Sequence, residues 1–117
     1  LEPGAMSSQR HWHANEDDFV YVVRGPITLI TDEGEQELTG GMVAGFPAGV
    51  PNGHRLVNRS DRAVHCLIVG TRAPEEVAEY PDIDLPAIKA NGVYRFTNRA
   101  GELLSESPAP PPPDAPA

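Results

Sequence analysis

The sequence predicts an all-β fold, a barrel or sandwich of short strands that runs out into an unstructured tail. Short apolar runs recur between turn signals at spacings of about eight to twelve residues, the pattern of β-barrels and sandwiches. One run, Phe19-Val20-Tyr21-Val22-Val23, is apolar on both faces of a strand and needs cover on both sides. From Ser105 the chain reads SESPAPPPPDAPA, a proline-rich stretch expected to be extended and disordered. With 117 residues in all, this gives one domain over residues 1–104 and a tail over 105–117.

Leu1 to Gln9 lead in, with Pro3-Gly4 as a turn; the opening resembles the end of a strand already under way, so upstream strands are expected. In extended chain His11 and His13 leave one face, and Arg10 and Trp12 the other. In the apolar run, Val20 and Val22 share a face with Asp18. Phe19, Tyr21 and Val23 point the other way, toward a second copy, upstream strands or the C-terminal segment. Ile27 to Thr31 is the next strand, and Asp32-Glu33-Gly34 turns it into the polar return Gln36 to Leu38, a barrel rim. Gly40-Gly41 breaks the chain before Met42 to Phe46. His54, Leu56 and Asn58 then share a face, Asn58 tying down the strand end through its side chain. Ala63 to Val69 is a further strand in which Cys66 reads as a small buried hydrophobe and His65 as a surface residue. Pro74 to Tyr80 reads as a helical turn ended by Pro81, and Val93 to Thr97 as a late strand. Tyr21 and Phe46 are expected in the core, with Phe46 also placed to line a pocket.

Composition narrows the partners. Nine basic against seventeen acidic residues leave a net charge of −8, which argues against nucleic acid and against anionic membranes. No apolar run approaches a transmembrane span. A single cysteine, Cys66, excludes an internal disulfide and fits a reducing compartment, so a cytoplasmic protein is expected. No phosphate-cradling glycine loop, nucleophile elbow or paired-cysteine knuckle is present. The expected partners are a small molecule and, over the two-faced apolar strand, a second copy in a homodimer.

The chemistry lies in two stretches. RHWHANEDDFVYVVRG (10–25) sets two imidazoles on one strand face beside three acids, Glu16, Asp17 and Asp18, a partial ligand set for a divalent transition metal. GMVAGFPAGVPNGHRLVN (41–58) is dense in turn residues and delivers His54 into a strand. Together they resemble the two motifs of the cupin superfamily. The first motif, G-x5-H-x-H-x3or4-E-x6-G, is met by His11, His13, Asp18 and Gly25. The second, G-x5-P-x-G-x2-H-x3-N, is met by Gly41, Pro47, Gly49, His54 and Asn58. The departures are Asp18 in place of Glu, four residues rather than two between Gly49 and His54, and six rather than five between Gly4 and His11. Asp18 is shorter by roughly 1.5 Å, one C–C bond, so it is the weakest expected ligand; Glu16 and Asp17 compete with it as the acid that matters, or all three form a solvated run.

The resemblance implies a jelly-roll barrel, a double-stranded β-helix, holding one divalent transition metal (iron, manganese, nickel or zinc) through His11, His13, Asp18 and His54. It also implies an enzyme of oxygenase, isomerase or lyase type, acting on a small organic acid or sugar-like compound. A non-catalytic binding or sensor cupin is the alternative, because the fold does not select among chemistries.

Overall fold

A computed structural model describes residues 1–83, 86–98, 100 and 102–108. These residues form eleven strands: β1 Trp12–His13, β2 Asp18–Arg24, β3 Ile27–Thr31, β4 Gly34–Leu38, β5 Val43–Phe46, β6 Arg55–Val57, β7 His65–Gly70, β8 Glu76–Glu79, β9 Ala87–Ala90, β10 Val93–Thr97 and β11 Leu103–Pro108. The fold is all-β. Among the described residues no helix is long and apolar enough to cross a membrane.

Two three-stranded sheets, β5-β2-β7 and β4-β3-β6, share one core. Strand periodicity decides who enters it. Val20 and Val22 of β2, Ile27 and Leu29 of β3, Leu38 of β4 and Leu56 of β6 are buried with Val64, and Ala44, Phe46 and Cys66 pack against them. The chain passes from β4 to β5, back to β6 and again to β7, alternating between sheets as a jelly roll does. Residues 4–11 run antiparallel beside β6: the Gly4 amide donates to the Asn58 carbonyl at 2.7 Å and the Ser7 amide to Leu56 at 2.8 Å. Asn58, fully buried, donates its side-chain amide to Leu1 and Arg62 carbonyls and accepts from Ser60, closing the strand end as its turn chemistry suggested.

The third sheet, β1-β8-β9-β10-β11, places the second half of the chain against the first histidine strand. It corrects two expectations. Pro74–Tyr80 is no helical turn, since Glu76–Glu79 is a strand paired with both β1 and β9. Its buried positions are Glu76 and Ala78, so the alternation is written in residues that do not look apolar. Ser105–Pro108 continues β11 along β10 instead of starting the tail, because a ladder satisfies its backbone without an apolar face; the remainder of the expected tail, residues 109–117, lies outside the described residues. Tyr21 is not in the core but on an exposed face.

That face is broad. Tyr21 lies between Val43 and Leu67, and Phe19 beside Val69, and all five are exposed together with Val23. The Val93–Thr97 strand, one cover considered for it, belongs to the third sheet. A contiguous apolar sheet face open to water is the kind of surface a second copy would cover, and we propose a dimer across it. Light scattering at micromolar concentration should therefore show a dimer, and Tyr21→Lys or Leu67→Lys should dissociate it. A wild-type monomer would rule the dimer out.

Candidate metal centre

Three elements bring the histidines together. His11 and His54 sit opposite one another on neighbouring extended segments and exchange both backbone hydrogen bonds, at 3.1 and 2.9 Å. His13 follows on β1, two residues along and on the same face. Asp18 opens β2 on the face that carries Val20 and Val22 into the core. The four side chains meet at one end of the barrel. The ring centroid of His11 is 4.9 Å from that of His13 and 5.0 Å from that of His54. Asp18 Oδ2 is 3.2 Å from His13 Nε2 and 3.7 Å from His54 Nε2. One donor atom each from His11, Asp18 and His54 lies within 4.8 Å of the others, the spread that bonds of roughly 2.0–2.2 Å to a shared ion require after slight closure.

The short Asp18 reaches the histidines because its surroundings let it in. It pairs with Gly70 across β2 and β7, and a Cβ at Gly70 would stand 2.8 Å from Asp18 Oδ1. The imidazoles are held by their other nitrogens. His11 Nδ1 lies 2.9 Å from the Gln9 carbonyl and His54 Nδ1 3.1 Å from the Asn52 carbonyl, leaving Nε2 of each free to ligate. Phe46 stacks on His54 at 3.7 Å and 10°, so it lines the site, as its place beside the second motif suggested. Neutral imidazoles with one carboxylate suit a divalent first-row metal.

Charge is divided unevenly among these groups. Burial works against the ionised form of Asp18, but the His13 and His54 imidazoles beside it outweigh that and hold the carboxyl well below the usual range. Burial likewise pushes His13 down, yet the Asp18 hydrogen bond and charge, with the fields of Glu76 and Glu16, leave it raised. Burial lowers His11, with like charge from His13 and His54 adding to it. A cavity of about 170 Å³ adjoins the cluster, lined by His11, Asp18 and His54, by Val20, Leu29, Phe46, Leu56 and Ile68, and by Ser7, Ser8 and Arg55.

The third sheet adds residues that no motif announced. Lys89 is buried and its Nζ lies 2.7 Å from Glu16 Oε2, which also accepts from the Ala73 amide. Breaking such a buried pair by removing one partner costs about 3–5 kcal/mol. The Lys89 ammonium is 5.5 Å from the centre of the Tyr94 ring, whose phenol is pushed up to about 12 by burial and by the charges of Glu16 and Glu76. Glu16 is thus buried and paired, not part of a solvated acidic run, whereas Asp17 is exposed. Arg10, expected to point away from the histidines, donates twice to Asp82, at 2.9 and 2.8 Å, and once to Asp32, strapping the segment after β8 to the barrel. Tyr80 of that segment stands 5.7 Å from His11, ring centre to ring centre. Gly53 permits this, since a Cβ there would meet Pro81 at 2.9 Å and Arg10 at 3.0 Å. His65 is exposed and Cys66 half-buried against the core, as their positions in β7 suggested.

Residues 1–70 match the family model described as Cupin domain. Among solved structures, a Silicibacter pomeroyi protein described as a sugar phosphate isomerase from a cupin superfamily is 46% identical, with a TM-score of 0.85, over 90% of this chain and 67% of that one. A putative sugar phosphate isomerase from Acidithiobacillus ferrooxidans is 28% identical with a TM-score of 0.80 over the same shares. A Cupin 2 conserved barrel domain protein from Salinispora arenicola, 23% identical with a TM-score of 0.53 over 62% of this chain and 58% of that one, shares the fold. No curated protein matches the chain.

If Asp18 is what raises His13, Asp18→Asn should lower the His13 pKa, because burial then acts against a weaker partner. Proton NMR titration of the metal-free protein measures this; an unchanged His13 would mean that Glu16 and Glu76 set its charge instead.

Proposed function

This chain belongs to the cupin superfamily, and we propose that it is a metal-dependent isomerase of small phosphorylated sugars. His11, His13, Asp18 and His54 hold one divalent transition ion, whether iron, manganese, nickel or zinc. The observation that carries the reading is the convergence of His11, Asp18 and His54, with His13 Nε2 3.2 Å from Asp18, in a chain 46% identical, across 90% of its length, to the Silicibacter pomeroyi isomerase.

Exchange of an aldose for a ketose moves one hydrogen between neighbouring carbons and one proton between their oxygens, with no net oxidation. When bound, the ion supplies a Lewis acid for those oxygens. The chain supplies the rest. Val20, Leu29, Leu56 and Ile68 wall the cavity and exclude water from the carbon skeleton. Arg55 lines the same cavity and leaves its buried Nε without a hydrogen-bond partner, a charged donor for a phosphate. Tyr80 stands 5.7 Å from His11, ring centre to ring centre, and burial raises its phenol, so it stays protonated beside the site. A second reading, a non-catalytic small-molecule sensor, needs the same cavity and ligand contacts but no turnover.

Untagged protein should contain one metal per chain. It should convert phosphorylated aldoses to ketoses, followed by proton NMR. Asp18→Ala or His54→Ala should lower kcat/KM on the order of 10³-fold or more, the scale of several kcal/mol of charge stabilisation. Stoichiometric metal and tight sugar binding without exchange would establish the sensor instead.

A further inference from the structure

The third sheet carries a row of polar side chains for which the metal centre by itself gives no reason. By register Glu76 on β8 lies opposite Lys89 on β9, and Lys89 opposite Tyr94 on β10, so the three share one sheet face. His13 on β1 pairs with Ala78, two residues from Glu76, which puts Glu76 diagonally across from His13 on that face. Carboxylate oxygens of Glu16 and Glu76 and a ring nitrogen of His13 all lie within 4.8 Å of one another.

The two carboxylates are served differently. Lys89 engages Glu16 at 2.7 Å, which neutralises that side chain. Glu76 is only 1% exposed and accepts from the backbone amides of Asn15 and Val77. An ionised carboxylate offers about four lone-pair sites, so two amides leave it room for a further donor. His13, for its part, turns Nε2 to Asp18 and leaves Nδ1 buried with no hydrogen-bond partner. The His13 ring, with its Nδ1 unpartnered, and a carboxylate with acceptor capacity thus bring a ring nitrogen and an oxygen within 4.8 Å, a gap that a side-chain adjustment or one bridging water spans.

We propose that Glu76 is a positioning residue for the metal centre: its carboxylate takes the Nδ1–H of His13, directly or through one water, and so biases the ring, against the pull of Asp18 on Nε2–H, toward the tautomer whose Nε2 ligates. Outer partners of this kind fix the orientation of ligating histidines and raise their basicity. The β8 strand then acts twice on the site. It pairs with the backbone of β1, and it orients the histidine that β1 carries. The effect on affinity rests on the metal reading above; the effect on the tautomer does not, because it exists in the metal-free protein.

The test compares the full chain with Glu76→Gln, an isosteric change that still accepts from Asn15 and Val77. Nitrogen-15 spectra of the metal-free proteins, at a pH where the imidazoles are neutral, should show a larger Nδ1–H share for His13 in the wild type than in the variant, where Asp18 at Nε2 takes the proton with less competition. Titration with Ni²⁺ alone should show affinity lower by about 10–100-fold in the variant. Glu75→Gln, at an exposed neighbouring position, should change neither. A folded E76Q protein with an unaltered His13 tautomer overturns the proposal. If E76Q does not fold, Glu76→Asp keeps the charge and withdraws the carboxylate by roughly 1.5 Å. It should show the same tautomer shift and the same loss of Ni²⁺ affinity, and an unaltered tautomer there overturns the proposal equally. Wild-type protein that binds no Ni²⁺, alongside an E76Q tautomer shift, would sink the metal reading and sustain the positioning role.

Discussion

One carboxylate oxygen organises the molecule. Asp18 Oδ2 lies within 3.7 Å of Nε2 of both His13 and His54, at the end of a barrel whose interior is otherwise apolar. A buried carboxylate is tolerated only when donors surround it. The surrounding strands supply them: the backbone ladder that joins His11 to His54, the β1 strand that carries His13, and the bare Gly70 that leaves room for the carboxylate. The same requirement makes the cluster receptive to a cation, since these donors already face one point.

A second layer of buried charge lies behind the first. Glu16, Glu76 and Lys89 are all nearly inaccessible, and each would be costly alone. Their arrangement ties the third sheet to the histidine strand by charge as well as by backbone pairing. Arg10 adds an outer strap to Asp82, which keeps Tyr80 over His11. The second half of the chain is therefore part of the site and not an appendage to the barrel. The two similar structures from Silicibacter pomeroyi and Acidithiobacillus ferrooxidans share the fold over 90% of this chain, whereas the family model ends at residue 70.

Much of the barrel was legible because its strands alternate in the ordinary way. Val20 and Val22, Ile27 and Leu29, and the pair His54 and Leu56 each announce an inner face by a period of two. Turn residues marked the breaks between them, and histidine spacing over two motifs pointed to the cluster of histidines around Asp18. Beyond residue 70 the pattern weakened. In β8 and β9 the buried positions are Glu76, Ala78, Ala87 and Lys89, so charged and small residues occupy the inner face where a pattern search expects apolar ones. Tyr21 failed in the opposite direction, its apolar ring being expected in the core when it lies on an open face.

Local facts needed nothing beyond the order of the residues: which side chains alternate, where the chain must turn, and that three histidines and an aspartate recur at metal-ligand spacing. These follow from side-chain chemistry and the two-residue repeat of a strand, neither of which involves a distant partner. Folding in three dimensions was required to bring Asp18 onto the histidines, to set Glu16 against Lys89 across a separation of 73 residues, and to stand Glu76 behind His13. Burial of a charge is a property of its neighbours in space, and a linear pattern does not say who those neighbours are.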